Sequence, residues 1–271
     1  MSQKCLNIAC GDVYVQGWMN FDYTPHSSIV TYANLLDRLP VADAEADLVY
    51  SSHFIEHIPR DLVNHFLSEC FRILKPGAHL RLVLPDLEEM CRYYLASRES
   101  GEHEKADFLV LEILDQCVRT KPGGELGAFY EHLQSTPARR KEMIEFVRRR
   151  TGHELQPSTS APDVRWKRVL KNPGQMLGRL QALYCGLVLA LLPSAFRKQN
   201  VSLALVGERH AWIYDFYSVA CLLKNAGFAE VKRVTATSSG IPNFPFYPLD
   251  VTEDGRPRKG LESMYVEAIK P

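Results

Sequence analysis

The sequence predicts an α/β fold in which a mostly parallel, seven-stranded sheet is interrupted by a helical insertion. Two observations support this fold class. Short apolar runs that end in small or polar residues recur through the first third of the chain and alternate with helical patterns, as in a parallel sheet with crossovers. Strand patterns then nearly vanish, and two of them return close to the C-terminus.

Five strands are predicted in the first third of the chain. They are KCLNIAC (residues 4–10), MNFDY (19–23), IVTYA (29–33), DLVYS (47–51) and HLRLVL (79–84). Apolar residues at helical spacing predict a helix before the fifth strand, ended by Pro76 and Gly77. The connection between the first two strands is too short for a helical crossover, which usually takes about a dozen residues, so we expect a turn there.

The C-terminal part resumes the same alternation. Residues 212–228 form an amphipathic helix pattern closed by Gly227 and capped by Asp215, and residues 229–236 and 263–271 are strand patterns. The intervening segment is rich in Glu, Arg, Leu and Ala, which indicates helices. We therefore expect a core in two parts, residues 1–87 and 212–271, with residues 88–211 inserted between them as a cap.

Composition limits the classes of partner and compartment. The chain has 32 basic and 32 acidic residues, which argues against a nucleic-acid partner. Its seven cysteines are scattered without a CxxC pair, which argues against a disulfide framework and a zinc site and favours the reducing cytoplasm. The N-terminus lacks the charged start and apolar run of a signal peptide.

Two features of the insertion leave alternatives open. The nearly uncharged residues 180–193 fall short of the roughly 20 apolar residues that cross a bilayer, which favours a buried helix. Their basic flanks also permit peripheral membrane contact through residues 165–198. Residues 139–171 hold ten Lys or Arg and four Asp or Glu, typical of a solvated helix face or of a surface that binds an anionic substrate.

Polar residues gather where the predicted strands end, which is the ligand-binding edge of an open parallel sheet. Gly11, after the first strand, lets the backbone approach a ligand closely. Asp22 can accept hydrogen bonds from the two hydroxyls of a ribose, and Asn34 offers a donor and an acceptor to an adenine edge. Each residue alone is also an ordinary turn or cap residue; their joint placement indicates a nucleotide-like ligand.

Three segments that contain these residues resemble the motifs of class I S-adenosylmethionine-dependent methyltransferases, especially the type 11 group. The segments are LNIACGDVYVQGWMNFDY, LPVADAEADLVYSSHFIEHIP and FRILKPGAHLRLVLPDL, and HAWIYDFYSVACLLKNAGFAEVKRV with SMYVEAIKP resembles the closing helix and antiparallel hairpin. The resemblance implies a Rossmann-like sheet with an antiparallel last strand and S-adenosylmethionine as cofactor. The acidic residue and first glycine usual in the opening loop are here Asn7 and Ala9.

The resemblance also implies roles for residues of the site. The loop from Asn7 through Ala9 and Cys10 to Gly11 would lie beneath the methionine part of the cofactor, and Asp22 would hold the ribose. Asn34 and Leu35 would flank the adenine. Beside the sulfonium would lie Ser51, Ser52 and His53, with the EH pair Glu56 and His57 bracing that loop.

Methyl transfer from a sulfonium requires mainly alignment and exclusion of water, with a general base if the acceptor is a hydroxyl. His53 is the first candidate base, followed by Asp86 and His210, although each is also an ordinary structural hydrogen-bonding residue. We expect no metal, because HFIEH lacks a third ligand and is not HExxH. Candidate residues lining the acceptor site are Tyr93, Tyr94, Tyr130 and Trp166.

These features predict methyl transfer to a small molecule, such as a hydroxyl of a sugar, a natural product or a glycan intermediate, with an anionic group in some cases. Two alternatives differ in class. A nicotinamide-dependent oxidoreductase shares the sheet, but its GxGxxG motif is absent. A non-catalytic binding or scaffold protein would explain Asn7 and Ala9 as a degenerate site.

Overall fold

A single seven-stranded sheet organises the molecule, in the order β3-β2-β1-β4-β5-β7-β6. The computed structural model describes residues 3–155, 184, 187–202 and 207–271. The last strand runs antiparallel to both of its neighbours, and the other pairs are parallel, as predicted. The strands are β1 Cys5–Ile8, β2 Met19–Asp22, β3 Val30–Tyr32, β4 Ala46–Ser52, β5 Leu74–Pro85, β6 Ala229–Val234 and β7 Ser263–Ile269.

The fifth strand differs from its prediction. It begins at Leu74 instead of His79, because the preceding helix already ends at Ile73. Pro76 and Gly77 therefore lie within the strand and do not end the helix. The strand register shifts here, between the pairs of Leu74 with Ala46 and of His79 with Leu48. Such an irregularity accommodates a proline, which cannot donate a hydrogen bond to a regular ladder.

Helices form every element described between Leu87 and residue 211, as the composition predicts. Three of them, α3 to α5, have a core of their own, made of Phe108, Leu126, Leu133, Met143, Phe146 and Val147. The helices are α1 Val63–Ile73, α2 Leu87–Glu99, α3 His103–Val118, α4 Gly124–Ser135, α5 Lys141–Thr151, α6 Ser194–Asn200, α7 Phe216–Asn225 and the short α8 Phe246–Leu249. There are 3₁₀ turns at Ile55–His57 and Pro137–Arg139. Residues 187–191 are also helical. Asp215 caps α7 by accepting from Ser218 N at 2.7 Å.

The two faces of the sheet are covered by different kinds of structure. Helices α1 and α7 bury one face, against side chains such as Leu80 and Val266. The other face is covered by irregular chain, residues 13–18 and residues 236–251, which pack against Leu48 and Tyr50. Both faces are thus removed from water, as the apolar strands require. The expected turn between β1 and β2 provides part of this second cover.

A buried ionic cluster fastens residues 235–250 to the sheet. The fully buried Arg81 of β5 donates to Asp250 at 2.8 Å and to Glu267 at 2.5 Å. Its guanidinium also donates to the carbonyls of Thr235 and Ser238. Each charge has a partner, which a buried ion requires.

No helix in the described part of the chain is long and apolar enough to cross a membrane. The structure describes residues 184 and 187–193 of the apolar segment 180–193, and large apolar side chains there, such as Tyr184, Leu187 and Leu191, are exposed. The prediction of a buried helix is therefore wrong for these residues, while Trp166 and the rest of the segment lie outside the described residues. The six cysteines in the described ranges are free thiols.

Candidate active site

Two adjoining cavities lie at the carboxyl ends of the parallel strands. The strand-end cleft has a volume of about 630 Å³. The helix-side cavity has a volume of about 420 Å³ and lies between the sheet edge and helices α2 to α5. His53, His57 and Gly207 line both. The cleft is lined by Ala9, Gly11, Asp22, Tyr23, Thr24, Asn34, Leu35, Leu36, His53, Phe54, His57, Ile58 and Gly207.

The floor of the cleft is the loop after β1, held by the carboxylate at the end of β2. Asp22 Oδ2 accepts from Gly11 N at 2.9 Å, and Asp22 Oδ1 accepts from Thr24 N at 2.8 Å. Gly11 has φ +53°, and a Cβ built on it meets no protein atom within 4 Å. The backbone conformation therefore favours glycine, and any side chain at this position would project into the open cleft.

Asn7 lies beneath this floor and does not line the cleft. Its buried amide donates to Val13 O at 2.9 Å and contacts Asn20 Oδ1 at 3.4 Å. Asn20 in turn donates to the carbonyls of Val15 and Trp18. The two amides thus hold the short connection between β1 and β2 in place of a helix. Cys10, Ser51 and Ser52 are likewise absent from the lining residues of both cavities.

The opposite wall of the cleft follows β3. Asn34 Oδ1 accepts from Leu36 N at 3.3 Å, and Asn34 Nδ2 donates to Asp37 Oδ2 at 2.7 Å. These bonds form a turn that presents Leu35 and Leu36 to the cleft. A flat apolar surface beside an amide suits the face and edge of an aromatic base.

His53 lies at the junction of the two cavities in a strained backbone conformation, with φ +52°. Its Nε2 lies 2.9 Å from Ser263 Oγ, and its Nδ1 lies 3.3 Å from Glu56 Oε1. Burial, and then the positive charge of Lys259, hold the pKa of His53 well below its ordinary value. The imidazole is therefore neutral at physiological pH and able to accept a proton.

Glu56, His57 and His210 meet beside His53. Burial raises the pKa of the Glu56 carboxyl to about 8. Burial, and then the neighbouring His57, lower the pKa of His210 to about 3. The rings of His57 and His210 stack edge to face at 4.8 Å. These groups are 153 residues apart in sequence, and the fold brings them together.

Asp86, a candidate base from the sequence, has a different environment. Its buried carboxylate caps α2 by accepting from Glu88 N at 3.2 Å and pairs with Arg233. It lines neither cavity, whereas its neighbour Pro85 lines the helix-side cavity.

The sequence of the β-strand core matches a known family. Residues 6–82 match the family model described as a methyltransferase domain. The strand order and the antiparallel last strand are those of the Rossmann-like methyltransferase fold. This part of the chain is therefore similar to a methyltransferase domain. At this level the prediction of an S-adenosylmethionine-dependent methyltransferase is confirmed.

Solved structures that match this chain share little sequence with it. The Haloferax volcanii complex of the Trm112 methyltransferase activator with a methyltransferase gives 11% identity over 99% of this chain and 83% of that chain, with a TM-score of 0.38. A S-adenosylmethionine-dependent methyltransferase of Thermotoga maritima gives 12% over 100% and 83%, with a TM-score of 0.40. A Bordetella parapertussis protein described as a possible exported protein is 12% identical over 99% of this chain and 62% of that chain, with a TM-score of 0.37. No curated protein sequence matches the chain.

The helix-side cavity of the methyltransferase is lined by ionisable side chains from distant parts of the chain. Arg119 and Lys259 bring positive charge, and Glu112 and Glu262 bring carboxyl groups. The remaining lining residues are His53, His57, Pro85, Met90, Gln116, Gly123, Leu126, Gly127, Tyr130, Thr151, His153, Gly207, Glu208 and His210. Tyr130 lines this cavity as expected; Tyr93 packs against Phe146 instead, and Tyr94 lies against Arg98.

Burial dominates the electrostatics of this cavity. It raises the pKa of Glu262 well above the ordinary value, with a further contribution from the neighbouring Glu112. It lowers the pKa of Lys259, which among the described residues has no ion-pair partner. A half-buried cation without an ion-pair partner favours a ligand that brings a negative or strongly polar group.

Sequence reasoning missed Lys259 and Glu262, although a signal existed. Both precede β7, which is antiparallel to the other strands. The start of such a strand lies at the same edge as the carboxyl ends of its parallel neighbours. Residues that precede the closing strand therefore belong with the strand-end residues, and Ser263, the partner of His53, is the first residue of β7.

Proposed function

We propose that the protein transfers a methyl group from S-adenosylmethionine, bound in the strand-end cleft, to a small polar acceptor bound in the helix-side cavity. One observation carries this proposal: the two cavities share His53, His57 and Gly207. A reaction between two bound molecules needs two adjoining sites with the reacting atoms at their junction. The methyl group would cross at the two histidines.

The cleft suits the cofactor part by part. Asp22, fixed by two backbone N–H groups, retains lone pairs for the ribose hydroxyls. The adenine would lie against Leu35 and Leu36, with Asn34 at its edge. The methionine part would lie over Ala9 and Gly11, with Asn7, Cys10, Ser51 and Ser52 shaping that loop from behind.

The reaction is an in-line displacement in which the acceptor oxygen forms a bond to the methyl carbon as the carbon–sulfur bond breaks. The neutral imidazole of His53 is the proposed base for the acceptor proton, and Glu56 Oε1, 3.3 Å from Nδ1, would then face the imidazolium. His210 lines the acceptor side and is the second candidate. Asp86 contributes by fixing the start of α2.

The proposed acceptor is a hydroxyl of a sugar or a related small metabolite. Hydrogen-bonding groups dominate the helix-side cavity, and Arg119 and Lys259 would pair with an anionic group on the same molecule. The equal numbers of acidic and basic residues argue against a nucleic-acid acceptor, and the scattered cysteines favour a cytoplasmic location.

Calorimetric titration of the full chain with S-adenosylhomocysteine tests the cofactor site. We expect micromolar binding, weakened about 10- to 100-fold by Asp22→Asn, because a charge-assisted hydrogen bond contributes about 1.5 to 3 kcal/mol. Asp12→Asn is the matched control, since Asp12 carries the same charge next to Gly11 but does not line the cleft. No heat with the wild-type protein would contradict the proposal.

A second measurement separates an enzyme from the non-catalytic alternative. Incubation with methyl-labelled cofactor and a panel of hydroxylated and anionic small molecules should label at least one acceptor. Binding of the cofactor without transfer to any member of the panel would favour a binding or scaffold protein.

A further inference from the structure

The carboxylate of Glu56 is buried without a hydrogen bond. Its side chain is 1% exposed, and neither carboxylate oxygen has a hydrogen-bond partner among the described residues. Burying a polar group without a hydrogen-bond partner costs free energy. Burying a charged group without a partner costs more. Native proteins rarely retain such a group without a ligand, ion or water that satisfies it.

Two histidines besides His53, whose Nδ1 lies 3.3 Å from Glu56 Oε1, face this carboxylate. His57 Nδ1 lies 2.8 Å from the carbonyl of Arg209, so Nδ1 carries the hydrogen and Nε2 presents its lone pair. His57 Nε2 lies 4.0 Å from Glu56 Oε1. His210 is 5% exposed, and its buried Nδ1 also lacks a hydrogen-bond partner in the described chain.

The backbone fixes these three side chains in place before any ligand arrives. The N–H groups of Ala211 and Trp212 donate to the Glu56 carbonyl at 2.6 and 3.2 Å. His210 N donates to Gln116 O of α3 at 2.9 Å. Residues 209–212 are thus held against the turn that contains Glu56 and His57, and the bond from His57 Nδ1 to a carbonyl is the type that orients a metal-bound histidine.

The donor atoms are spaced for one ion. One ligand atom from each of Glu56, His57 and His210 lies within 4.8 Å of the others. Donors around a zinc-sized ion at about 2.1 Å are about 3.4 to 4.2 Å apart, so closing on an ion requires movements on the order of 1 Å. Three protein ligands with a fourth position open toward a cavity are typical of catalytic sites.

We propose that Glu56, His57 and His210 bind a divalent transition-metal ion at the junction of the two cavities. Two imidazole nitrogens and one carboxylate favour zinc, iron(II) or cobalt(II) over magnesium or calcium, which prefer oxygen ligands. The expectation of no metal rested on the absence of a third ligand near HFIEH, and His210 supplies one from a distant segment.

The position of this site indicates what the ion would do. His57 and His210 line the helix-side cavity, so an open coordination position would face the acceptor. An acceptor hydroxyl bound there loses its proton more readily, since a bound cation stabilises the alkoxide. Metal binding itself does not depend on the proposed methyl transfer; only this role does.

Titration of the full chain with Co²⁺, after removal of metal with a chelator, tests the site. We expect saturation at one equivalent, visible d–d absorption and displacement by Zn²⁺. Glu56→Gln and His210→Gln should each weaken binding at least about tenfold, because even residues that only support metal ligands contribute 10- to 100-fold. His65→Gln, on the exposed side of α1, is the matched control and should bind like wild type.

Three results would overturn the proposal. The first is the absence of saturable Co²⁺ binding to the wild-type protein, a test that does not depend on the folding of any variant. The second is unchanged affinity in folded Glu56→Gln and His210→Gln, with circular dichroism as the measure of folding. The third is a thiolate-to-cobalt charge-transfer band, which would assign the metal to cysteines. Calorimetry of the metal-free protein with S-adenosylhomocysteine reports separately on the proposed function.

Discussion

The strand-end cleft and the helix-side cavity meet at two histidines, yet they are built in different ways. Apart from Gly207, the cleft takes all its lining residues from residues 9–58, and these follow consecutive strands of one sheet. The cavity collects side chains from four helices and from residues 207–210 and 259–262. Strand-end topology therefore determines the lining of the cleft, whereas the packing of the insertion determines the lining of the helix-side cavity.

The largest expected effect concerns the cavity wall. Arg150 is 1% exposed and joins α5 to α2 and α3 by donating to Glu89 at 2.8 Å and to Glu112 at 2.9 Å. Arg150→Met leaves two carboxylates without their cation and should lower the free energy of unfolding by about 3 to 5 kcal/mol. Urea denaturation measures this loss, and the affinity for S-adenosylhomocysteine at the cleft should change little.

Arg148 provides the control on the same helix. It pairs with Glu145 at the surface, so Arg148→Met should change stability by less than about 1 kcal/mol. If Arg150→Met weakens S-adenosylhomocysteine binding as well as stability, the strand-end cleft depends on the packing of the helix-side cavity, and the comparison between the two fails.

The second effect is a pH dependence that belongs to the cavity. The pKa of Glu262 is raised in the folded protein, so the folded state retains a proton that the unfolded state releases. The stabilisation that this proton provides is complete below the pKa of Glu262 in the unfolded chain. It is lost as the pH rises through the higher pKa of Glu262 in the folded protein. Glu262→Gln mimics the protonated form and should gain stability relative to wild type by up to about 1.4 kcal/mol per pH unit.

Denaturation of both proteins at about pH 6 and about pH 8 measures this gain, over the window in which the unfolded carboxyl is ionised. Glu253→Gln, at an exposed turn, should show no such trend. A stability difference that does not vary with pH would mean that the cavity does not keep Glu262 protonated.

The smallest expected effect concerns the cleft floor. Gly11 and Gly17 both have positive φ, +53° and +83°, and a Cβ on either meets no protein atom within 4 Å. Alanine at either position should cost on the order of 1 kcal/mol of stability. Only Gly11→Ala should also weaken S-adenosylhomocysteine, by about tenfold or 1.4 kcal/mol in calorimetry, because only Gly11 lines the cleft. If Gly11→Ala and Gly17→Ala bind S-adenosylhomocysteine equally well, Gly11 does not contact the cofactor.

The fold was predictable from the sequence where local pattern decides it. Apolar strands, the capping Asp215 and the short connection after β1 all follow from residues close together in the chain. The role of Pro76 and Gly77 was mistaken because a helix stop and a strand irregularity use the same residues. Only the pairing with β4, which is a tertiary interaction, distinguishes the two.

The lining of the strand-end cleft was more predictable from the sequence than the lining of the helix-side cavity. Gly11, Asp22 and Asn34 line the cleft because parallel strands end at one edge, a rule that needs no coordinates. Glu112 lies on α3 and Arg119 directly follows that helix, whose sequence does not indicate which face meets the sheet. The meeting of His210 with the EH pair depends on hydrogen bonds between segments far apart in the chain.

The irregular cover on one face of the sheet has a consequence for how the protein is made. Leu48 and Tyr50 are synthesised well before the residues 236–251 that cover them. Until then this apolar face is open to water and to other chains, so residues 3–87 do not form a complete folding unit by themselves. Docking of residues 236–251, with Asp250 accepting a hydrogen bond from Arg81, therefore completes the burial of this face.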